Sequence, residues 1–190
     1  MGSEGAAAEP VRLALRKLWS DHVFWTREYI IAATADAPVG DADAAAARLL
    51  RNQDDIGSAI VPYYGADAGK KLTDLLKQHI MIAVELVADA KGGADEKFAA
   101  DDARWSENAA QIAKFLAGAN PNWPEKDVND LLALHLELTK GEVVARLNKD
   151  WNAAVKAFDD IFTEIMVLAD ALYGGLVAQF PDKFRSAVAV

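Results

Sequence analysis

The segment TDLLKQHIMIA (residues 73–83) recurs as NDLLALHLELT (residues 129–139), and a looser form, RKLWSDHVFWT, occupies residues 16–26. Each copy places one histidine after an apolar turn, and the chain has 3 histidines in all. Around each histidine the apolar residues recur three and four positions apart, the spacing that brings side chains onto one face of an α-helix. The segments therefore predict three equivalent helices, each with a histidine within its apolar stripe.

These segments belong to a longer internal repeat. A shift of 56 residues places Asn52 on Asn108 and His79 on His135, and a shift of 57 places His22 on His79. The period does not fit the solenoid repeats of about 34 residues, and short turns between long helices favour antiparallel neighbours. We therefore predict an all-α fold, an antiparallel up-and-down bundle of about six helices built from three repeated helical hairpins.

Glycine, proline and aspartate residues divide the chain into the predicted helices. Pro10 and Pro124 suit the first turn of a helix, and Pro181 ends the last helix. The predicted helices cover approximately residues 10–36, 41–65, 67–91, 95–117, 124–147 and 151–179. We expect one domain over residues 10–184, with a flexible N-terminus at residues 1–9 and a flexible C-terminus at residues 185–190.

Composition excludes several classes of protein and site. The 190 residues suffice for one domain with a sizeable core. The lack of cysteine excludes disulfides, thiolate metal sites and cysteine nucleophiles. A net charge of -9 without any basic stripe disfavours nucleic acid and anionic membrane surfaces as partners.

The chain also lacks the marks of a membrane protein. No uninterrupted apolar run reaches about 18 residues, so no membrane span is expected. The opening residues MGSEGAAAEP lack the basic start and apolar stretch of a signal peptide. We expect a soluble protein, either cytoplasmic or exported with its signal already removed, and the sequence does not identify a protein partner.

Polar residues on the predicted helices should meet at one height. Each histidine lies about 15 residues before a turn, and an asparagine or glutamate lies about as far after it; antiparallel helices place such residues level with each other. The residues expected to share one cross-section are His22, Asn52, His79, Asn108, His135 and Glu164.

This predicted layer has two interpretations. In the first, it holds one transition-metal ion (Zn, Fe, Mn or Cu) or a small ligand, because imidazoles and a carboxylate suit such metals. The ligands would be His22, His79, His135 and Glu164. The amides that orient them would be Asn52 and Asn108. In the second interpretation, the protein is a structural or protein-interaction bundle, and each histidine bonds to a neighbouring polar group and only specifies core packing. Di-iron proteins need Glu-x-x-His pairs, which the chain lacks.

A second group of charged residues should lie near this layer. It could bind a small anion, although such residues more often form ion pairs within the protein. The group comprises Arg48, Arg104, Asp160 and Glu142. The chain contains no Gly-x-Ser-x-Gly, no His-Glu-x-x-His and no phosphate-binding glycine loop. The sequence thus offers no positive indication of an enzyme.

Four phrases carry a resemblance that spans nearly the whole chain: LWSDHVFWTREYII, RLLRNQDDIGSAIVPYYG, LLKQHIMIA and QFPDKF. They resemble a family of small bacterial all-helical proteins. The resemblance implies a bacterial source and an all-helical fold, but brings no activity and no assigned site. It also implies that relatives carry a histidine near the position of Glu164, which would fit a layer of ligands.

Overall fold

The computed structural model of the protein describes residues 8–35 and 40–184. Within these ranges the chain forms six α-helices and no strand, so the predicted all-α fold is confirmed. The helices are α1 (Ala8–Thr34), α2 (Asp41–Gly92), α3 (Asp95–Ala119), α4 (Glu125–Leu147), α5 (Trp151–Gln179) and α6 (Pro181–Phe184). The termini predicted to be flexible lie outside the described residues, except that Ala8 and Glu9 begin α1. The up-and-down order and the three repeated hairpins stay predictions.

Helix α2 contains the predicted break between the second and third helices. Gly65 lies inside it with φ 84° and ψ 170°, a conformation that only glycine adopts without strain. The break separates a first limb, residues 41–64, from a second limb, residues 66–92. Thr73 Oγ1 donates to Gln53 O over 3.4 Å, and a Cβ on Gly57 would lie 2.7 Å from Gly69 O. The limbs therefore lie against each other, and the chain folds back at Gly65.

Local signals end the helices near the predicted positions. Gly93 follows α2 with φ 67° and donates its N–H to Ala90 O. Asp150 caps α5 by accepting a hydrogen bond from Ala153 N over 3.0 Å. Pro181 is predicted only to end the last long helix, but it also begins the one-turn α6, because its fixed φ suits a first helical turn.

Two apolar clusters hold the helices together. The large one draws aliphatic and aromatic side chains, including Trp105, from all six helices. The small one consists of Ile30, Val87 and Val143, with partly buried neighbours. Helix α1 packs against α2 and α5, α3 packs against α2 and α4, and α4 packs against α5. Members of both clusters line one cavity, which contains the candidate site.

Helix α5 is the most apolar of the long helices. Among the described residues it alone is long and apolar enough to cross a membrane, by length and composition. Of its most apolar stretch, 50% is buried within the structure. The core helix of a soluble protein passes the same test, so the composition of α5 does not by itself indicate a span.

Candidate functional site

The six side chains predicted to share one cross-section are all buried. None of these residues exposes more than 5% of its surface. They are His22, Asn52, His79, Asn108, His135 and Glu164, and together they are called the histidine layer. Burying polar groups costs free energy unless they are hydrogen-bonded. The partner of each histidine therefore decides what the layer can do.

His79, on the second limb of α2, is held by Asn108 on α3. Asn108 Oδ1 lies 2.9 Å from His79 Nδ1, while Asn108 Nδ2 donates to Leu75 O over 3.1 Å. The second bond identifies the amide nitrogen, so the atom facing the ring is an oxygen, which only accepts. His79 therefore carries its proton on Nδ1, and its Nε2 keeps a lone pair. Trp105 stacks on the ring with centroids 5.0 Å apart.

His135, on α4, is held by Glu164 on α5. Glu164 Oε2 lies 3.0 Å from His135 Nδ1. A carboxylate only accepts hydrogen bonds, so His135 donates from Nδ1, and the neutral form of the ring has its lone pair on Nε2. Glu164 Oε1 is buried and has no hydrogen-bond partner among the described residues. The predicted metal ligand Glu164 thus lies behind the ring and orients His135.

His22, on α1, is held by an amide from the first limb of α2. Gln53 Nε2 lies 3.3 Å from His22 Nδ1 and donates to Leu49 O over 2.8 Å. The amide has two hydrogens: one is donated to Leu49 O, and the other is shared between Asn52 Oδ1 and His22 Nδ1. The amide nitrogen cannot accept, so His22 Nδ1 accepts and the ring proton is on Nε2. Asn52, the predicted partner, instead donates to Leu18 O over 3.0 Å and accepts from Gln53 Nε2 over 3.2 Å. His22 is thus protonated on the opposite nitrogen from the other two.

The three imidazoles line one cavity of about 350 Å³. The ring centroids of His22 and His135 lie 5.7 Å apart. Every hydrogen bond between the three rings and the described residues uses Nδ1, which leaves each Nε2 for a ligand. The remaining wall is mostly apolar and includes Ile30, Ile80, Leu86, Val87, Phe98 and Val143. This combination of volume, apolar walls and few polar groups is typical of small-molecule sites.

The cavity is elongated, and two of the hydroxyl groups on its wall are already bonded. Leu147 also lines it and lies twelve residues after His135 on α4, about 18 Å along a helix. Thr26 Oγ1 donates to His22 O over 2.8 Å, and Thr139 Oγ1 donates to His135 O over 2.8 Å. The imidazole Nε2 atoms are therefore available to orient a ligand, and Tyr29, Asp95 and Asn148 are further polar residues on the cavity wall.

Burial keeps two of the rings uncharged. Burial, reinforced by the nearby His135, lowers the pKa of His79 to about 3. Burial also lowers the pKa of His22 well below its ordinary value, and His135 and His79 lower it further. Both rings are neutral at physiological pH, so they do not attract an anion.

Two residues of the site, Gln53 and Trp105, are not predicted from the sequence. Gln53 has no polar counterpart in the repeat, because a shift of 56 residues places it on Ala109. Trp105 lies three residues before Asn108, so the two residues share a helix face. This spacing could have identified Trp105 as a residue of the site. The repeat therefore identifies the histidines but not the partner of His22.

The four charged residues predicted to form an anion or ion-pair layer each have a separate partner. The pairs are Arg48–Asp21 at 3.6 Å, Arg104–Glu85 at 2.8 Å, Lys156–Asp160 at 2.5 Å and Arg27–Glu142 at 2.5 Å. Burial raises the pKa of Glu142 to about 7, although Arg27 opposes this shift. The structure does not bring the four residues together at one place.

A metal ion fits the layer only in part. Among the described residues, no group of three or more histidine, aspartate or glutamate side chains could hold a metal ion as positioned. His79 and His135 have Nδ1 held by oxygens and Nε2 unprotonated, which is the usual arrangement of metal-binding histidines. His22 presents an N–H, so a metal would require its proton to move to Nδ1.

Comparison with known proteins adds no assignment. No protein-family model matches the chain, and no curated protein or solved structure shows significant similarity to it.

Proposed function

We propose that the protein binds a small, largely apolar molecule in the cavity lined by His22, His79 and His135, without transforming it. The observation that carries this proposal is the convergence of three anchored imidazoles on one apolar cavity. The hydrophobic walls would hold the body of the molecule, and the Nε2 atoms would hold its polar group.

The energetics favour a ligand of this kind. Apolar surface removed from water contributes about 25 cal/mol per Å², and most of the cavity wall is apolar. Each imidazole is already fixed by Gln53, Asn108 or Glu164. Side chains that are ordered before binding lose little conformational entropy when a ligand arrives.

Titration with N-phenyl-1-naphthylamine, a neutral dye that fluoresces in apolar surroundings, tests the proposal. We expect saturable one-to-one binding by the wild type. Ala83 lies on the cavity wall, so the ring of Ala83→Phe would occupy part of the cavity and should weaken dye binding by about tenfold or more, or about 1.4 kcal/mol. Ala88→Phe, on the exposed side of the same limb, is the matched control and should bind the dye like the wild type.

Two results would contradict the proposal. One is the absence of saturable binding by the wild type, and the other is equal binding by the Ala83→Phe and Ala88→Phe variants. Either result would favour the structural alternative, in which the histidine layer only specifies core packing. Circular dichroism and thermal unfolding of both variants establish that they fold.

We also infer that the bundle is up-and-down and consists of three repeated hairpins: α1 with the first limb of α2, the second limb with α3, and α4 with α5. Equivalent hydrogen bonds support this arrangement. Asn52 Nδ2 donates to Leu18 O, and Asn108 Nδ2 donates to Leu75 O. Each carbonyl belongs to the residue four positions before a histidine. Glu164 takes the equivalent place in the third hairpin.

A transition-metal ion is the second candidate ligand. The observation that favours it is the oxygen-held Nδ1 of His79 and His135, which leaves two imidazole lone pairs for a metal. Zinc, iron, manganese and copper all accept imidazole ligands.

A further inference from the structure

The proton positions of the three imidazoles specify a head group for the ligand; this deepens the proposed function and rests on it. We infer that the cavity selects a neutral molecule whose head donates two hydrogen bonds and accepts one, of which a primary carboxamide is the simplest. The head would donate to Nε2 of His79 and His135 and accept from the Nε2–H of His22.

Contacts behind the rings fix these roles. If His79 were protonated on Nε2, its bare Nδ1 would face Asn108 Oδ1, and two acceptors would lie 2.9 Å apart. If the proton of His135 were on Nε2, its unprotonated Nδ1 would likewise lie 3.0 Å from Glu164 Oε2, another acceptor. Unpaired acceptors in a buried layer are costly.

The role of His22 is reversed for the same reason. Gln53 uses its Nε2 to donate to Leu49 O over 2.8 Å, so the atom facing His22 Nδ1 at 3.3 Å is a donor. A proton on that ring nitrogen would place two donors together. The three imidazoles therefore offer two acceptors and one donor.

Other common head groups leave part of this set unsatisfied. A carboxylate has no donors, and among the described residues the lysine on the cavity wall is already paired. Lys140, which also lines the cavity, pairs with Asp102 at 3.1 Å and Glu137 at 3.2 Å. An alkylammonium has donors but no acceptor for His22. A tertiary amide, ester or ketone only accepts hydrogen bonds. A site whose buried acceptors need donors from the ligand rejects an analogue that lacks those donors.

Displacement of N-phenyl-1-naphthylamine from the wild type at neutral pH tests the inference. The competitors are decanamide, N,N-dimethyldecanamide, decanoate and decylammonium, which share a similar apolar chain and differ in the head group. Decanamide should displace the dye at a concentration about tenfold or more below each of the others. N,N-dimethyldecanamide is the sharpest control, because it keeps the carbonyl but lacks both N–H donors.

The His79→Phe variant removes one acceptor from the layer. Measured relative to the dye affinity of the variant itself, its preference for decanamide over N,N-dimethyldecanamide should fall to about threefold or less. Equal displacement by all four competitors on the wild type would overturn the head-group inference while leaving the proposed function in place. If neither the dye nor any competitor bound, the proposed function itself would fail, and the inference with it.

Discussion

Each imidazole of the histidine layer has its proton placed by one neighbouring side chain. Oxygens of Asn108 and Glu164 face two rings, whereas a nitrogen of Gln53 faces the third. The sequence predicts that Asn108 and Glu164 lie at the same height in the bundle as the histidines, because distance from a turn sets height in antiparallel helices. It does not predict Gln53, because side-chain rotamers decide which of two adjacent amides reaches the ring.

The buried His79 should make the protein sensitive to acid. The pKa of His79 in the folded protein, about 3, lies below its ordinary value of 6.5. Between these values the unfolded chain binds a proton that the folded chain does not, so the free energy of unfolding falls as pH falls. At about pH 5 this loss should be about 2 kcal/mol relative to about pH 7.

Urea unfolding of the wild type and of the His79→Gln variant at both pH values measures this contribution. The glutamine keeps a donor for Asn108 but does not titrate. Glu142, whose pKa is raised to about 7 by burial, has the opposite effect, since it adds stability as pH falls toward its unfolded pKa. It is present in both proteins and cancels in the comparison. Equal losses in the two proteins would show that His79 does not remain neutral on folding.

Helix α2 is the element whose shape departs most from a regular helix. Proline and glycine in the phrase VPYYG predict its break at Gly65, and the structure places the break there. The sequence does not predict the close approach of Gly57 and Gly69. In the sequence, each is simply a glycine inside a predicted helix. The packing of the two limbs shows why neither position has room for a side chain.

The substitution Gly69→Ala should separate the limbs of α2. Its Cβ would lie 2.5 Å from Val61 Cγ2 and 2.8 Å from Gly57 O, and the second contact is with backbone that cannot easily move. Overpacking of this kind should lower the free energy of unfolding by about 2 kcal/mol. The matched control is Gly141→Ala in α4, where a Cβ meets nothing within 4 Å and alanine should stabilise the helix by about 0.5–1 kcal/mol. Urea unfolding at neutral pH measures both changes, and a neutral Gly69→Ala would contradict the close packing.

The cavity belongs to the whole molecule, because it lies between apolar clusters drawn from several helices. Helical periodicity is local, so the sequence predicts the all-α fold and the apolar face of each histidine helix. The distance between helices depends on side chains that are far apart in sequence. The cavity and the 5.7 Å separation of the His22 and His135 rings could therefore not be read from the sequence.

Metal affinity should depend on the one ring whose proton faces the cavity. The Gln53→Glu variant would lose the amide's hydrogen bond to Leu49 O and place a carboxylate behind His22, so that the His22 proton moves to Nδ1 and three Nε2 lone pairs remain for a metal. Co²⁺ should then bind about tenfold or more tightly than to the wild type, as measured from its visible absorption at neutral pH. Gln111→Glu adds the same charge on the exposed side of α3 and should leave Co²⁺ affinity near that of the wild type. If the wild type bound Co²⁺ as tightly as Gln53→Glu, then Gln53 would not control the proton of His22, and the layer would already present three metal ligands.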